Sequence, residues 1–303
     1  MNPAFSVVVF TTLAGAAQGL VVALALALLG GVAVSSGFVG HALLVALVML
    51  LLGLGASFGH LGRPERAWRS ALMWRSSWLS REVIVLPAFT AVVALWWLWP
   101  ASTLLPLLAL PLAALLWYCT AMIYACLRFI QEWAHPLTLV NYTLIGLSSG
   151  LVLVCALAAL GGEGALLGAA GPWALIATLA AAAARGLSLR RNAALKPTST
   201  LQSATGIHAT RLVQTSMGMS ARAFNTREFF HGATLRALKQ VKLGFIVFAF
   251  ALPLLFIVVG LVTGSSLPWL LALTAQVPGL LAERWFFFAQ ARHPQNLYYQ
   301  VVS

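Results

Sequence analysis

The sequence predicts an all-α polytopic integral membrane protein with eight transmembrane helices, and three observations predict it. Of 303 residues, 61% are hydrophobic and only 8% are charged, against about 45–50% apolar and about 25% charged in a typical soluble domain. The apolar residues form continuous runs rather than alternating, so helices are expected and barrel strands are not. The basic residues fall into four segments that eight spans would place on one side of a bilayer. This composition excludes an ordinary soluble enzyme, a disordered chain and a disulfide-stapled secreted module.

One span needs about 20 apolar residues. Eight runs qualify: Ala4–Leu29, Phe38–Phe58, Glu82–Trp99, Leu104–Leu127, Leu139–Leu160, Trp173–Leu187, Leu243–Thr263 and Leu267–Ala289. They are expected to form a single membrane domain over 1–303, packed as two helix bundles. The sixth is the weakest, being short, Ala-rich and closed by Arg185. The opening MNPAFSVVVFTTLAG has no basic leader and no twin arginine, so the first run is expected to be a retained span. Gly15/Gly19 and Gly55/Gly59 have the four-residue spacing that lets membrane helices approach closely.

The net charge is +12, from 18 Lys and Arg against six Glu. On a soluble chain such basicity would suggest nucleic acid; here no nucleic-acid partner is expected, because basic loops orient a membrane protein. Arg63, Arg66, Arg69, Arg75 and Arg81 lie between spans 2 and 3, Arg128 between spans 4 and 5, ten cations from Arg185 to Lys242, and Arg284 and Arg292 near the end. With eight spans all of these share one side, which the positive-inside rule makes cytoplasmic, and both termini join it. The opposite loops are short and built of Gly, Ala, Ser and Pro. The two long cytoplasmic loops, 59–81 and 186–242, are expected to carry function or docking. Arg63, Arg69, Arg222, Arg227 and Arg292 are the candidate docking cations, alongside lipid contact. Within the second loop TREFFHGATLRALKQVKLG has a helical pattern, suited equally to the headgroup plane and to a partner.

Cys119, Cys126 and Cys155 lie in apolar stretches without metal-ligand spacing. A cluster needs four thiolates, so neither an iron–sulfur cluster nor another metal site is expected in this chain. A haem is not expected either: His41 and His60 fall too far apart on one helix to share an iron. His135-Pro136 and His293-Pro294 read as turn residues at span ends. Glu132 is placed to help relay protons or to pair with Arg128 at i,i+4, Glu283-Arg284 to form a structural or docking pair, and Gln18 to bond a neighbouring helix or a quinone carbonyl. Transport would need polar groups in mid-membrane, and the runs contain almost none.

The informative stretch is GHLGRPERAW, residues 59–68, followed by Trp74, Trp78, Ser80, Arg81 and Glu82. His60 closes span 2 and Glu82 opens span 3, so both face the cytoplasmic interface. A quinone head group needs hydrogen bonds at its oxygens, a proton source and an apolar slot. His exchanges protons near neutral pH, a partly buried Glu does the same work, and Arg66 holds a developing oxyanion. Trp68, Trp74 and Trp78 suit the walls of the slot and suit interfacial anchors equally well.

The pattern HLGRPERAW with Glu82 resembles the membrane anchor subunits of dimethyl-sulfoxide-reductase-type complexes, which have eight spans and this motif near the end of span 2. The resemblance carries over to His60, Pro64, Arg66 and Glu82. It implies a quinone-reactive subunit, taking ubiquinone or menaquinone, without haem, in a bacterial cytoplasmic membrane. Its implied partners are an iron–sulfur electron-transfer subunit and a molybdopterin catalytic subunit. The opening NPAFSVVVFTTLAGAAQGL and the closing ERWFFFAQARHPQNLYYQ are similar to the membrane subunits of cytoplasmic sulfite dehydrogenases, a branch that agrees with an arginine-rich motif loop. The expected function is to pass electrons from sulfite oxidation in a partner subunit to the quinone pool. His60 and Glu82 would be the proton-exchanging residues, and Arg66, Trp74 and Trp78 would complete the binding site. A quinol-oxidising reductase anchor, an inert anchor and a transporter are the alternatives.

Overall fold

The computed structural model describes residues 1–59, 61–216 and 224–299. The eight predicted runs all form helices: α1 (Phe5–Leu29), α2 (Ser36–Phe58), α3 (Trp78–Leu98), α4 (Leu104–Ala125), α5 (Pro136–Gly161), α6 (Gly164–Ala193), α7 (Leu235–Thr263) and α8 (Leu267–Ala289). No strand occurs among the described residues. Shorter helical turns lie at Pro64–Ala71, Leu201–Thr205, Asn225–Glu228 and Pro294–Tyr298.

Local chemistry sets the boundaries. Ser35 accepts from the Phe38 N–H (3.3 Å) and starts α2, and Ser77 accepts from the Ser80 N–H (3.3 Å) and starts α3. Helix α3 therefore begins four residues before Glu82, which lies inside the helix instead of opening it. His135 caps α5 with its Nδ1, and Pro136 takes the first helical position. The pattern read as one amphipathic helix breaks over 229–234, and Thr234 caps a new start at Leu235. From there α7 runs on through a π turn at Ile246–Ala251.

Seven of these helices, α1 to α7, are long and apolar enough to cross a membrane. The eighth expected span, α8, has the predicted 23 residues; Gln276, Glu283 and Arg284 lower its apolarity, and the fold turns all three inward. The structure does not confirm the expected division into two bundles: besides the largest cluster, smaller ones gather around Trp133 and around Phe245. One buried apolar cluster draws on all eight helices, from Leu20 and Leu43 through Phe89, Ala113 and Val152 to Ala177, Ile257 and Trp269.

The closest crossing joins α1 to α5. A Cβ at Gly150 would stand 2.0 Å from the Gly19 carbonyl carbon, and one at Gly19 would stand 2.1 Å from the Gly146 carbonyl oxygen. Gly19 thus does what its spacing suggested, against a second Gly-xxx-Gly pair on α5. Gly55 meets nothing within 4 Å, so the second predicted pair is only sequence pattern. Buried polar links tie α5 to α6 and α8: Ser148 with Thr178 (2.8 Å), Asn141 with Ser188 (2.6 Å) and Gln276 with Ser148 (3.2 Å).

The chain alternates direction, and contacts show which ends meet. The Met1 ammonium donates to the Ala291 carbonyl (2.8 Å), the Asn2 N–H to Glu228 (2.9 Å), and Arg191 to the Gln131 carbonyl (3.0 Å). At the opposite end Ser35 donates to Glu163, and Ser266 to the Ala159 carbonyl (3.1 Å). The turns there, 30–35, 99–103, 162–163 and 264–266, contain no Lys or Arg.

Candidate functional site

The segment between α2 and α3 is a short helical platform. Pro64 opens the turn Pro64–Ala71, whose side chains remain at least partly exposed. Arg66 pairs with Glu65 at 3.8 Å, and both are half-exposed. Arg63 and Arg69 are exposed, Arg69 lying 5.5 Å from the Trp68 ring centre. Trp68, Leu72, Met73 and Trp74 also face outward. Four large apolar side chains interleaved with arginines suit a membrane surface or a protein partner.

Where this segment enters α3, the side chains converge. Arg81 donates to the Trp74 carbonyl (2.9 Å) and the Arg75 carbonyl (2.8 Å), and its guanidinium lies 4.0 Å from the Trp78 ring centre. Trp78 meets Tyr118 of α4 edge-on at 5.2 Å. One residue further on, Glu82 turns inward and is 5% exposed. The Thr120 hydroxyl of α4 donates to its Oε1. Placing a carboxyl here takes it from water and leaves it, among the described residues, one neutral donor.

Of the predicted set, the structure gathers Trp74 and Trp78 around Arg81, with Glu82 next in sequence and turned inward onto Thr120. Arg66 makes no hydrogen bond or ion pair to Glu82. His60 and Arg222 lie outside the described residues. Arg227 and Arg292 are exposed on a common surface built from the 224–234 segment and the C-terminal tail. There Asn225 donates to the Tyr299 hydroxyl (2.5 Å), Asn296 to the Phe229 carbonyl (3.0 Å), and His293 stacks on Phe229 at 3.7 Å. Burial holds the His293 and His231 imidazoles below their ordinary pKa, and the neighbouring α-ammonium adds to it. Glu132 does not pair with Arg128: residues 126–135 form turns, not a helix, and Glu132 accepts the Arg292 N–H (3.4 Å).

Sequence reasoning missed three features. Thr120 has no local signal, because it is one hydroxyl inside an apolar run. Arg81 stands among the orienting arginines, and its spacing from Trp74 and Trp78 gives no hint of the turn that it closes. The largest omission is that the expected Glu283–Arg284 pair is buried and includes Arg185. Arg185 Nε meets Glu283 Oε1 at 2.7 Å, and Arg284 Nε meets Glu283 Oε2 at 3.6 Å. All three are nearly inaccessible, and Arg284 lies 4.0 Å from the Tyr142 ring centre. The expectation that the spans hold almost no charge is corrected here. Helix α6 continues to Ala193, so Arg185 stands two turns inside it rather than at its end.

Among the described residues no group of three or more His, Cys, Asp or Glu could hold a metal ion. Cys119 and Cys155 are buried apart, and Cys126 is exposed.

Comparison with known proteins adds the family. No solved structure matches the chain. A sulfite dehydrogenase subunit of Allochromatium vinosum is 46% identical over 326 residues, covering 100% of both chains. The family model for the DMSO reductase anchor subunit (DmsC) matches residues 1–290. A multi-helix membrane architecture and a full-length match to this relative agree with that model: the chain belongs to the DMSO reductase anchor subunit family.

Proposed function

We propose that this chain is the quinone-reactive membrane subunit of a sulfite-oxidising complex, passing electrons from cytoplasmic sulfite oxidation to the quinone pool. One observation carries the site: Glu82 is buried one turn inside α3 with, among the described residues, only the Thr120 hydroxyl on it, one residue after the Arg81 that holds Trp74 and Trp78. The similarity to a protein named as a sulfite dehydrogenase subunit supports the branch.

The residues fit a quinone head group. Trp78 and Tyr118 offer an aromatic wall, Arg81 and Arg66 supply cations for a quinone oxygen, and Glu82 exchanges a proton. His60, at the head of the HLGRPERAW motif, is the second proton-exchanging residue. The quinone is a diffusible substrate that takes up two electrons and two protons to become quinol. This chain binds the head group and delivers protons. Electrons come from an iron–sulfur partner, and sulfite chemistry belongs to a molybdopterin partner.

In this reading α8 is the eighth span, with its polar residues satisfied inside the bundle. Both termini and every basic segment then lie on the cytoplasmic side of a bacterial inner membrane. The segment between α2 and α3 and the surface bearing Arg227 and Arg292 face the iron–sulfur partner, with Arg63 and Arg69 at its edge; Arg222 is the remaining candidate docking cation.

The test uses the complete complex. His60→Ala and Glu82→Gln each leave assembly and dye-linked sulfite oxidation intact and abolish quinone-dependent turnover. Unchanged quinone kinetics in both variants would overturn the site.

A further inference from the structure

Behind Glu82 lies a small internal cavity between α1, α3, α4, α5 and α8. Its polar walls are Thr11, Gln18, Thr120, Tyr142 and Arg284, with Trp117 and Leu86 beside them. About 10 Å³ is open to the centre of a water molecule, which is the space that one water needs.

Among the described residues, three that line the wall carry a buried polar atom without a partner: Gln18, Tyr142 and Trp117, whose Nε1 faces Gly146 of α5. Gln18 donates through Nε2 to the Ala14 carbonyl (3.1 Å), while its Oε1 has no partner. Tyr124 stacks on Tyr142 at 5.7 Å and brings its hydroxyl toward the Tyr142 hydroxyl, which still has no hydrogen bond of good geometry. A buried carbonyl or hydroxyl left this way costs about 1–3 kcal/mol. Thr120 donates to Glu82 and keeps its own lone pairs.

We propose that this cavity is a hydration site whose water joins Tyr142 to Thr120 and so forms a hydrogen-bond chain ending on Glu82. The water accepts from the Tyr142 hydroxyl and donates to Gln18 Oε1 and Thr120 Oγ1, which satisfies Gln18 and Tyr142; Trp117 Nε1, against Gly146, stays outside the chain. Thr120 then donates to the carboxyl. When Glu82 gives up its proton, every hydroxyl in the chain points toward the new anion. The Arg284 guanidinium, against the Tyr142 ring at 4.0 Å, sets positive charge at the far end. The chain solvates the carboxylate where bulk water does not reach. No proton enters or leaves through it; Thr120, Gln18 and Tyr142 are positioning residues.

The ionisable groups around Glu82 are consistent with this. Cys119 and Tyr124 of α4 and Tyr142 of α5 lie within its electrostatic reach. Arg81, on its own helix, is turned outward onto Trp74 and Trp78. On the preceding platform Glu65 and Arg66 pair with each other.

The inference rests on Glu82 as the proton-exchanging residue of the quinone site, and the experiment separates the two. In the complete complex Thr120→Val lowers quinone kcat about tenfold, the loss expected for one hydrogen bond to a charged group. KM for the quinone stays unchanged, and the pH profile of kcat moves upward. Thr120→Ser restores both. Tyr142→Phe moves the profile the same way by a smaller amount. A Thr120→Val and Tyr142→Phe pair with wild-type pH profiles would overturn the chain. A cryo-EM map that shows ordered water places a peak between Gln18, Thr120 and Tyr142, and a map without that peak would overturn the hydration site whatever the kinetics. Should Glu82→Gln keep wild-type quinone kinetics, the quinone reading fails, and the map alone decides the hydration site.

Discussion

Arg185 of α6 and Glu283 of α8 meet at 2.7 Å, each at most 3% exposed at its side chain. With Arg284 on the other carboxylate oxygen, one acid serves two buried cations. Breaking a buried pair from one side leaves an uncompensated charge and costs about 3–5 kcal/mol. Glu283→Gln strands two cations and is expected to lose that much. Arg185→Gln leaves the Glu283–Arg284 pair and is expected to lose clearly less. Thermal unfolding of the purified variants checks the order; equal losses would contradict it.

The α1–α5 crossing makes a second prediction. Gly150→Ala places a methyl 2.0 Å from the Gly19 backbone, so the helices must separate and folded yield is expected to collapse. Gly15→Ala meets only the Gly146 Cα at 3.8 Å and is expected to change stability by well under about 1 kcal/mol. Size-exclusion profiles in detergent after expression of each variant decide this.

Helix existence is legible in the sequence because a membrane helix announces itself locally, through about 20 apolar residues in a row. Leu267–Ala289 is legible to the residue. What is not legible depends on partners distant in the chain. Arg185 looks like the end of a span because Arg usually marks one, and only Glu283 on another helix makes it an interior residue. Glu82 is legible as a candidate through its distance from the HLGRPERAW motif, while Thr120 is not, since a hydroxyl among apolar residues has no signature until α3 and α4 are packed. Arg66, chosen by the same motif, turns to Glu65 at the surface.

The C-terminal tail is expected to loosen in acid. His293 and His231 accept backbone N–H bonds through Nδ1, from Gln295 (3.2 Å) and Ala233 (3.0 Å), and burial lowers both pKa values below 6.5. A base whose folded pKa is depressed favours the folded state while neutral. That contribution is complete above the unfolded value of about 6.5 and is lost as pH falls below it. Limited proteolysis of the tail is therefore expected to accelerate below about pH 6.5. Replacing both histidines with Asn, which keeps the cap without titrating, is expected to flatten the dependence; an unchanged slope would contradict this.

Sidedness is tested at Trp74, which is 53% exposed on the segment before α3. A Trp74→Cys variant is expected to react with an impermeant maleimide in inverted vesicles and to stay unlabelled in intact cells. Labelling from the periplasm would reverse the topology and remove the case for a cytoplasmic sulfite partner.

The most direct measurement is photo-crosslinking of the complete complex with a photoreactive quinone analogue, followed by peptide mapping. The label is expected on residues 74–82 and on the end of α4 around Tyr118, and to disappear when excess native quinone competes. Competed label confined to the opposite end of the bundle, near 99–103 or 264–266, would contradict the assignment of the quinone site to Glu82.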